Sequence, residues 1–176
     1  MQSLIIYSTV DGQTLAICQR IEQHLLQAGR SVKLIEINQV TQTDIANCEQ
    51  VIIGASIRYG KHRPELFKFI ATHLAAIEQK PNSFFTVNVV ARKPLKNTPE
   101  TNPYMIKFLQ LTLWKPKLLG VFAGKIDYPK YGFFDKFMIR LIMWITKGPT
   151  DTSGTFEFTD WDKVDAYAAN IVKQLS

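Results

Sequence analysis

The run Leu4-Ile5-Ile6-Tyr7, followed by Ser8-Thr9-Val10-Asp11-Gly12-Gln13-Thr14, decides the fold of this chain. The apolar run predicts a buried strand, and residues 13–28, whose apolar side chains recur at helical spacing, predict a helix directly after it. A strand-to-helix turn with hydroxyls and a glycine exposes backbone N–H groups at the positive end of the helix dipole, where phosphate binds well. The same residue types also serve as plain helix caps, so this stretch alone leaves both interpretations open.

The rest of the chain continues the alternation of strands and helices. Further strands are predicted at 32–37, 51–57, 84–91 and 118–124, and further helices at 64–79, 99–113 and 160–175. With right-handed crossovers, this order gives a three-layer α/β sandwich around a five-stranded parallel sheet. Residues 125–154 break the pattern before a strand-like run at 155–159. We therefore expect a single domain, 1–176, whose fifth strand is interrupted by a helical insertion at about 125–154.

The composition favours one intracellular domain without a metal site. The 176 residues, 46% hydrophobic and 20% charged, suffice for one core but not for two ordinary domains. The residues that open the chain show no signal-peptide pattern, so we expect the protein to stay inside the cell. Cys18 and Cys48 lack metal-ligand spacing and are expected to be reduced, buried thiols. The three histidines are equally scattered, so no zinc site is expected.

The basic charge is concentrated in one part of the chain. The formal net charge is +6, and residues 92–147 hold 11 lysines and arginines against 3 acidic residues. A local basic excess favours an anionic partner such as lipid head groups, nucleic acid or an acidic small molecule, although a solvated basic surface also fits. We expect no nucleic-acid partner, because the bases accompany an aliphatic face rather than a recognised reading motif.

Three loops are expected to meet at one edge of the sheet. Ligands of doubly wound sheets bind beyond the carboxyl ends of the strands, near the point where strand order reverses. The loops that end there are residues 8–14, 56–60 and 88–93. One phosphate turn and two loops that offer backbone hydrogen bonds, an aromatic ring and apolar contacts suit a flat aromatic cofactor.

Several separated segments carry a family resemblance. Residues 8–14 resemble the FMN phosphate loop of flavodoxins, and residues 53–60 look like the loop that flanks the isoalloxazine ring. Together with residues 88–94, 98–102, 137–143 and 150–152, they are similar to the HemG-type, menaquinone-dependent protoporphyrinogen IX dehydrogenases over essentially the whole chain. The resemblance implies a flavodoxin-like fold, tightly bound FMN and a role in haem biosynthesis. The implied reaction oxidises protoporphyrinogen IX to protoporphyrin IX in three two-electron steps, with menaquinone or ubiquinone as the acceptor.

The resemblance places FMN against the three loops. The residues expected to bind it are Ser8, Thr9, Val10, Asp11, Gly12, Gln13, Thr14, Ser56, Ile57, Arg58, Tyr59, Gly60, Asn88, Val89, Val90, Ala91 and Arg92. Asp11 departs from the pattern, because electron-carrier flavodoxins usually have a hydroxyl residue there and a carboxylate repels a phosphate. We expect Asp11 to turn away and to cap the loop or the helix through backbone N–H groups.

The insertion contains an amphipathic helix with a basic stripe. From Phe133 to Lys147, one side of the helical wheel carries Asp135, Lys136, Ile139, Arg140, Met143 and Lys147. The opposite arc, expected to face a membrane, carries Phe134, Phe137, Met138, Leu141, Trp144 and Ile145. A charged helix of roughly 14 residues is too short to span a bilayer. We expect it to lie on an anionic membrane surface, at the cytoplasmic face of the inner membrane. In the competing interpretation, this helix packs on the sheet edge or on another subunit.

A substrate with two propionates needs cationic partners. The residues expected at the substrate are Arg58, Arg92, Lys93, Lys125, Tyr128 and Tyr131, although each basic residue also fits a solvated surface role. No catalytic base emerges from the sequence, which is compatible with flavin chemistry. Tyr59 and His62, near the second loop, are candidates for proton handling.

Two other functions compete with the quinone-dependent dehydrogenase. The first is a flavodoxin-type electron carrier, but such carriers are usually acidic and this chain is basic. The second is an NAD(P)H-quinone reductase, for which the sequence offers no dinucleotide fingerprint. Reduction of the flavin by a nicotinamide separates this second alternative from the dehydrogenase.

Overall fold

The computed structural model describes residues 2–175 and shows a five-stranded parallel sheet between two layers of helices. The strands are β1 (Gln2–Ser8), β2 (Ser31–Glu36), β3 (Gln50–Ser56), β4 (Asn82–Val87) and β5 (Leu118–Phe122). They follow the order β2-β1-β3-β4-β5 across the sheet. Strand order therefore reverses at β1, which places the switch point where β1 and β3 end side by side. The predicted fold class is confirmed.

Helices cover both faces of the sheet. They are α1 (Gln13–Gln27), α2 (Gln42–Asn47), α3 (Pro64–Glu78), α4 (Pro103–Leu111) and α6 (Trp161–Lys173), with α5 (Phe133–Ile145) set apart in the insertion. One face is packed by α1 and α6 through residues such as Ile17 and Val164. The other is packed by α2, α3 and α4 through residues such as Leu66 and Phe108. Cys18 and Cys48 are free and buried, as predicted.

The central strands allow little variation because they are buried on both faces. Every residue of β4 is buried, and so are all but the last of β3. The ring of Phe85 lies across Gly54 of the neighbouring strand. A Cβ at position 54 would lie 2.2 Å from the Phe85 Cζ atom, so the close approach of the Phe85 ring to the backbone of β3 requires glycine there.

Capping residues shift the ends of the predicted elements. The Asn102 side chain accepts hydrogen bonds from the backbone N–H groups of Tyr104 and Met105, so α4 begins at Pro103 instead of residue 99. Strand β4 ends at Val87, because the Asn88 side chain accepts from the Ala91 N–H and starts a 3-10 turn. The short helix α2, closed by a capping box, was not predicted.

The insertion forms a separate small unit beyond β5. Strands β6 (Lys125–Asp127) and β7 (Thr155–Glu157) pair antiparallel, and α5 lies between them in sequence. The sequence predicts that the fifth strand resumes at 155–159 after the insertion, and this prediction is wrong. The strand at that place, β7, pairs with β6 and not with the five-stranded sheet. The Phe158 N–H donates to the Gly124 carbonyl at 3.1 Å, which closes the insertion at its base. Within residues 2–175, no helix is long and apolar enough to cross a membrane.

Candidate active site

The turn between β1 and α1 presents an open helix N-terminus. Gly12 stands at the N-cap with a φ of +87°, a left-handed conformation that favours glycine, and no side chain of the described residues caps the helix there. The Gly12 N–H donates to Thr9 Oγ1 at 3.1 Å, which holds the turn closed. Thr14 Oγ1 is buried without a hydrogen-bond partner among residues 2–175. An orphaned buried hydroxyl beside helix N–H groups fits the phosphate of FMN, whose oxygens accept from both.

Two further side chains brace this turn. Arg63 Nη1 donates to the Thr9 carbonyl at 3.3 Å, which brings a cation close to the expected phosphate. The Gln13 side-chain amide donates to Glu157 at 3.1 Å and to Thr159 at 2.9 Å. Gln13 therefore ties the phosphate turn to the base of the insertion, and its side chain is engaged there.

The three loops enclose one continuous cleft, as the sequence predicts. A cavity of about 670 Å³ adjoins a second of about 340 Å³, and the two share Asp11, Ile57, Asn88, Val89 and Lys125. The smaller one reaches the phosphate turn at Thr9 and Thr14. The larger one extends under the insertion. A cleft with the phosphate turn at one end and apolar side chains at the other suits a ligand that carries a phosphate and an aromatic ring.

Helix α5 is the roof of the larger cavity. Its inner side contributes Ile139, Ile142 and Met143, and Thr146 follows at its end. The sequence predictions did not include these four residues among the ligand contacts. The helical wheel contained the signal, because Ile139 and Met143 lie on the same side as Asp135, the side that faces the cleft.

Arg58 is the electrostatic centre of the cleft. Its Nη1 donates to both carboxylate oxygens of Asp11, at 2.9 and 2.8 Å, and its Nη2 donates to Asp135 Oδ2 at 2.6 Å. Burial opposes the charge on Arg58, but the two carboxylates outweigh it and raise the pKa of the guanidinium. The Asp11 carboxylate thus points to the Arg58 guanidinium. The expected partner was wrong, since Asp11 pairs with Arg58 instead of capping backbone N–H groups.

Tyr59 follows Arg58 in a strained turn. Arg58 and Lys61 exchange backbone hydrogen bonds of 3.0 and 3.2 Å, and Tyr59 between them has a φ of +49°, an unfavourable value for a residue with a Cβ. The Tyr59 hydroxyl donates to Asp135, and this hydrogen bond is the largest cause of the raised pKa of the phenol. Tyr59 therefore stays protonated at pH 7. Its side chain is half-exposed at the edge of the cleft.

His62 lies away from the cleft. Its Nε2 forms a 3.0 Å hydrogen bond with Thr86 Oγ1, and its ring packs edge-on against Phe84 and Phe108. Burial lowers the pKa of this imidazole to about 4, so it is neutral at pH 7. Of the two candidates for proton handling, only Tyr59 lines the cleft.

The expected substrate residues divide into two groups. Arg58, Lys125 and Tyr131 line the larger cavity. Arg92 instead holds the end of α5, donating to the Val89 carbonyl and to both the carbonyl and Oγ1 of Thr146, each at 3.0 Å. The Tyr128 hydroxyl donates to the Pro149 carbonyl at 2.8 Å from a fully buried ring. Lys93 is half-buried in the loop beyond, outside the cleft lining.

Some of the residues expected to bind FMN line the two cavities, and the others do not. Those that line the two cavities are Thr9, Asp11, Gln13, Thr14, Ser56, Ile57, Arg58, Tyr59, Asn88, Val89 and Val90. Those that lie behind or beside the lining are Ser8, Val10, Gly12, Gly60, Ala91 and Arg92. Gly12 and Gly60 supply positive φ angles, and Ala91 donates its N–H to Asn88, so these residues shape the loops.

A parallel sheet with a phosphate turn at its switch point, and two flanking loops beside it, defines a flavodoxin-like, FMN-binding protein. A family model described as "Flavodoxin domain" matches residues 4–153. Solved flavodoxins share this fold. One from the domain Archaea is 16% identical, with 94% of this chain and 99% of that chain covered and a TM-score of 0.52. Oxidised Flavodoxin 1 from Bacillus cereus is 12% identical, with both chains fully covered and a TM-score of 0.53.

Curated relatives narrow this class. The "Protoporphyrinogen IX dehydrogenase [quinone]" of Escherichia coli (strain K12) is 39% identical over 171 residues, which are 97% of this chain and 94% of that protein. The protein of the same name from Leishmania major is 39% identical over 168 residues, covering 95% of this chain and 73% of that protein. The chain belongs to the family of these quinone-dependent protoporphyrinogen IX dehydrogenases, within the flavodoxin-domain proteins.

Proposed function

We propose that this chain oxidises protoporphyrinogen IX to protoporphyrin IX in haem biosynthesis, with bound FMN and with a quinone, menaquinone or ubiquinone, as the electron acceptor. The observation that carries the proposal is the 39% identity across 97% of the chain to a protein of that name. This coverage extends through the insertion as well as through the flavodoxin-like core. The orphaned Thr14 hydroxyl at the phosphate turn supports the same cofactor independently.

Different residues of the cleft are assigned to cofactor binding and to the exclusion of water. FMN, when bound, supplies two-electron acceptance, so loss of six electrons and six protons from the substrate takes three turnovers, each reducing one quinone to its quinol. Thr14 and the N–H groups at the start of α1 would hold the phosphate. The loops at 56–60 and 88–92 would lie beside the flavin ring. Helix α5 closes the cleft from above with apolar side chains and excludes water from the reacting atoms.

The larger cavity offers contacts both for the apolar ring system of the substrate and for its propionates. Ile139, Ile142, Met143 and Tyr131 offer an apolar wall to a flat tetrapyrrole or a quinone ring. Arg58 lies in the same cavity as a fork-shaped donor for a propionate. These residues support the proposal of a substrate with an apolar body and acidic arms.

Anaerobic stopped-flow absorbance of the FMN-loaded protein tests this function. Mixing with protoporphyrinogen IX should bleach the oxidised flavin, and a menaquinone analogue should restore it. Mixing with NADPH should leave the flavin oxidised within the same time. Flavin reduction by NADPH but not by protoporphyrinogen IX would contradict the dehydrogenase and favour the NAD(P)H-quinone reductase.

We further propose that the outer side of α5 lies on an anionic membrane, at the cytoplasmic face of the inner membrane. Its apolar residues point away from the protein, with Phe137 58%, Trp144 72% and Ile145 66% exposed. Arg140 lines a surface groove together with Phe137 and Trp144 and suits anionic head groups. The side of α5 that packs on the protein carries Ile139 and Met143, and the aromatic arc is not part of that packing.

Vesicle flotation tests the membrane contact. The double variant Phe137→Ser and Trp144→Ser should lose most binding to phosphatidylglycerol vesicles while it retains FMN. Leu113→Ser is the matched control, since Leu113 is 82% exposed in the loop after α4. An equal loss of binding in the control, or undiminished binding of the double variant, would refute the role of α5. Failure of all forms to bind would refute the membrane location itself.

A further inference from the structure

Arg58 joins three separate parts of the molecule. It stands in the tight turn after β3, and its guanidinium contacts Asp11 of the phosphate turn and Asp135 of the first turn of α5. The Tyr59 hydroxyl bonds to the same Asp135 carboxylate. Asp135 is therefore held by two neighbouring residues of one loop, and that loop is the one expected to flank the flavin.

The two ends of α5 are held differently. At its C-terminal end, Arg92 donates to the carbonyl and to Oγ1 of Thr146, and Met143 is buried in a small apolar cluster. At its N-terminal end, Phe133 and Phe134 are 93% and 67% exposed, and Asp135 provides the contact with the cleft. The N-terminal end is thus attached mainly through an ion pair, whereas the C-terminal end is also anchored by packing.

We propose that the Arg58–Asp135 pair is a latch, and that a carboxylate of the substrate replaces Asp135 on Arg58 as the substrate enters the cleft. The inference rests on the proposed function, which supplies a ligand with two propionates. Asp135 then occupies the position on Arg58 that a substrate carboxylate takes. Release of Asp135 lets the N-terminal end of α5 lift while Arg92 retains its C-terminal end.

The chemistry of Arg58 favours such an exchange. A guanidinium binds any carboxylate through the same planar fork, so one anion replaces another without leaving the partly buried Arg58 unpaired on that side. The Nη1 side remains paired with Asp11 throughout. Tyr59 adds a second reason, because its positive φ is an unfavourable conformation that the bond to Asp135 helps to maintain. When Asp135 leaves, the turn is free to relax.

Binding of stable ligands to the FMN-loaded protein tests the exchange. Protoporphyrin IX and its dimethyl ester share one ring system, but only the free acid carries carboxylates. In Asp135→Asn, the free acid no longer competes with an internal carboxylate, so its Kd should fall about three- to tenfold while the Kd of the ester stays unchanged. In Arg58→Gln, the free acid should bind no better than the ester. Asp162→Asn, an exposed carboxylate at the start of α6, is the control and should match the parent protein.

Hydrogen exchange gives a readout that does not depend on ligand. In the FMN-loaded protein, Asp135→Asn should speed amide exchange in residues 133–138 several-fold and leave residues 142–146 unchanged. Tyr59→Phe removes one bond to Asp135 without altering any charge, and should give a smaller change in the same direction. Unchanged exchange in both variants, or equal changes in Kd for acid and ester, would overturn the latch. Failure of protoporphyrinogen IX to reduce the flavin would instead overturn the proposed function, whatever these two measurements give.

Discussion

The phosphate turn and helix α5 face each other across the cleft, but they are attached to the protein in opposite ways. The turn joins β1 to α1, and the apolar residues behind it, such as Ile5 and Ile17, are fully buried in the sheet layers. In α5, Met143 is the single buried residue, and arginines from two loops hold its ends. The phosphate turn is therefore held in place by the buried core behind it. Helix α5, by contrast, is held mainly by polar contacts, which a ligand is able to exchange.

The largest effect should come from breaking the core that supports the phosphate turn. Phe85→Ala removes a fully buried ring that covers Gly54 and packs against Phe122 and Tyr167, with ring centroids 5.5 and 6.0 Å away. We expect the free energy of unfolding to fall by about 3–5 kcal/mol, measured by urea denaturation. FMN binding should weaken with it.

The matched change on the exposed surface is Leu113→Ala. It should alter the free energy of unfolding by less than about 0.5 kcal/mol. A small effect of Phe85→Ala, comparable to this control, would show that the strands tolerate a cavity and would contradict the rigidity assigned to the core.

Acid should weaken the core before it weakens the insertion. The pKa of His62 falls from 6.5 to about 4 on burial, so between these values the unfolded chain binds a proton that the folded chain does not. Stability should therefore fall as the pH drops from 6.5 to 4, by as much as about 3 kcal/mol. In the insertion, the Lys130 ion pair lowers the pKa of Asp127 below 3.8, so its contribution is lost only at more acid pH.

Urea denaturation at a series of pH values checks this order. The His62→Gln variant should show a flatter curve between pH 6.5 and 4, although it is less stable than the parent at pH 7. A parent curve that is already flat in that range would mean that His62 is protonated in the folded protein, against its burial among aromatic rings.

The phosphate turn offers a sharper test at its unpartnered hydroxyl. Thr14→Val keeps the shape of the side chain and removes Oγ1, which has no partner in the described protein. A hydrogen bond to a charged phosphate contributes about 1.5–3 kcal/mol, so the Kd for FMN should rise roughly ten- to a hundredfold in a fluorescence titration. Riboflavin, which lacks the phosphate, should bind equally to both forms. An equal loss of affinity for both ligands would mean that Thr14 shapes the ring site instead.

The sequence was sufficient for the sheet and for the cofactor side of the cleft. Apolar runs and a glycine at a strand-to-helix turn are local patterns, and topology brings the loops at 8–14, 56–60 and 88–92 together without further information. The five predicted strands follow from this, and so does the helix predicted at 160–175, which spans Trp161–Lys173.

The roof of the cleft could not be predicted in the same way, because its contacts join residues far apart in sequence. Arg58 and Asp135 are separated by 77 positions, and no local pattern couples them. The predictions also placed Arg92 at the substrate, whereas it donates to Thr146. Free arginines are indistinguishable from paired ones in a sequence, so the polar attachment of α5 became visible only with the structure.

The smallest effect should come from Arg92, and it separates the roof from the cofactor side. Arg92→Gln removes the hydrogen bonds to Thr146 but leaves Met143 buried in its apolar cluster. We expect the free energy of unfolding to fall by about 1 kcal/mol and amide exchange in residues 142–146 to rise. The Kd for FMN should change less than twofold, because Arg92 lies outside both cavities of the cleft. A tenfold loss of FMN affinity would mean that the roof and the cofactor side are one rigid unit, and the contrast between them would fail.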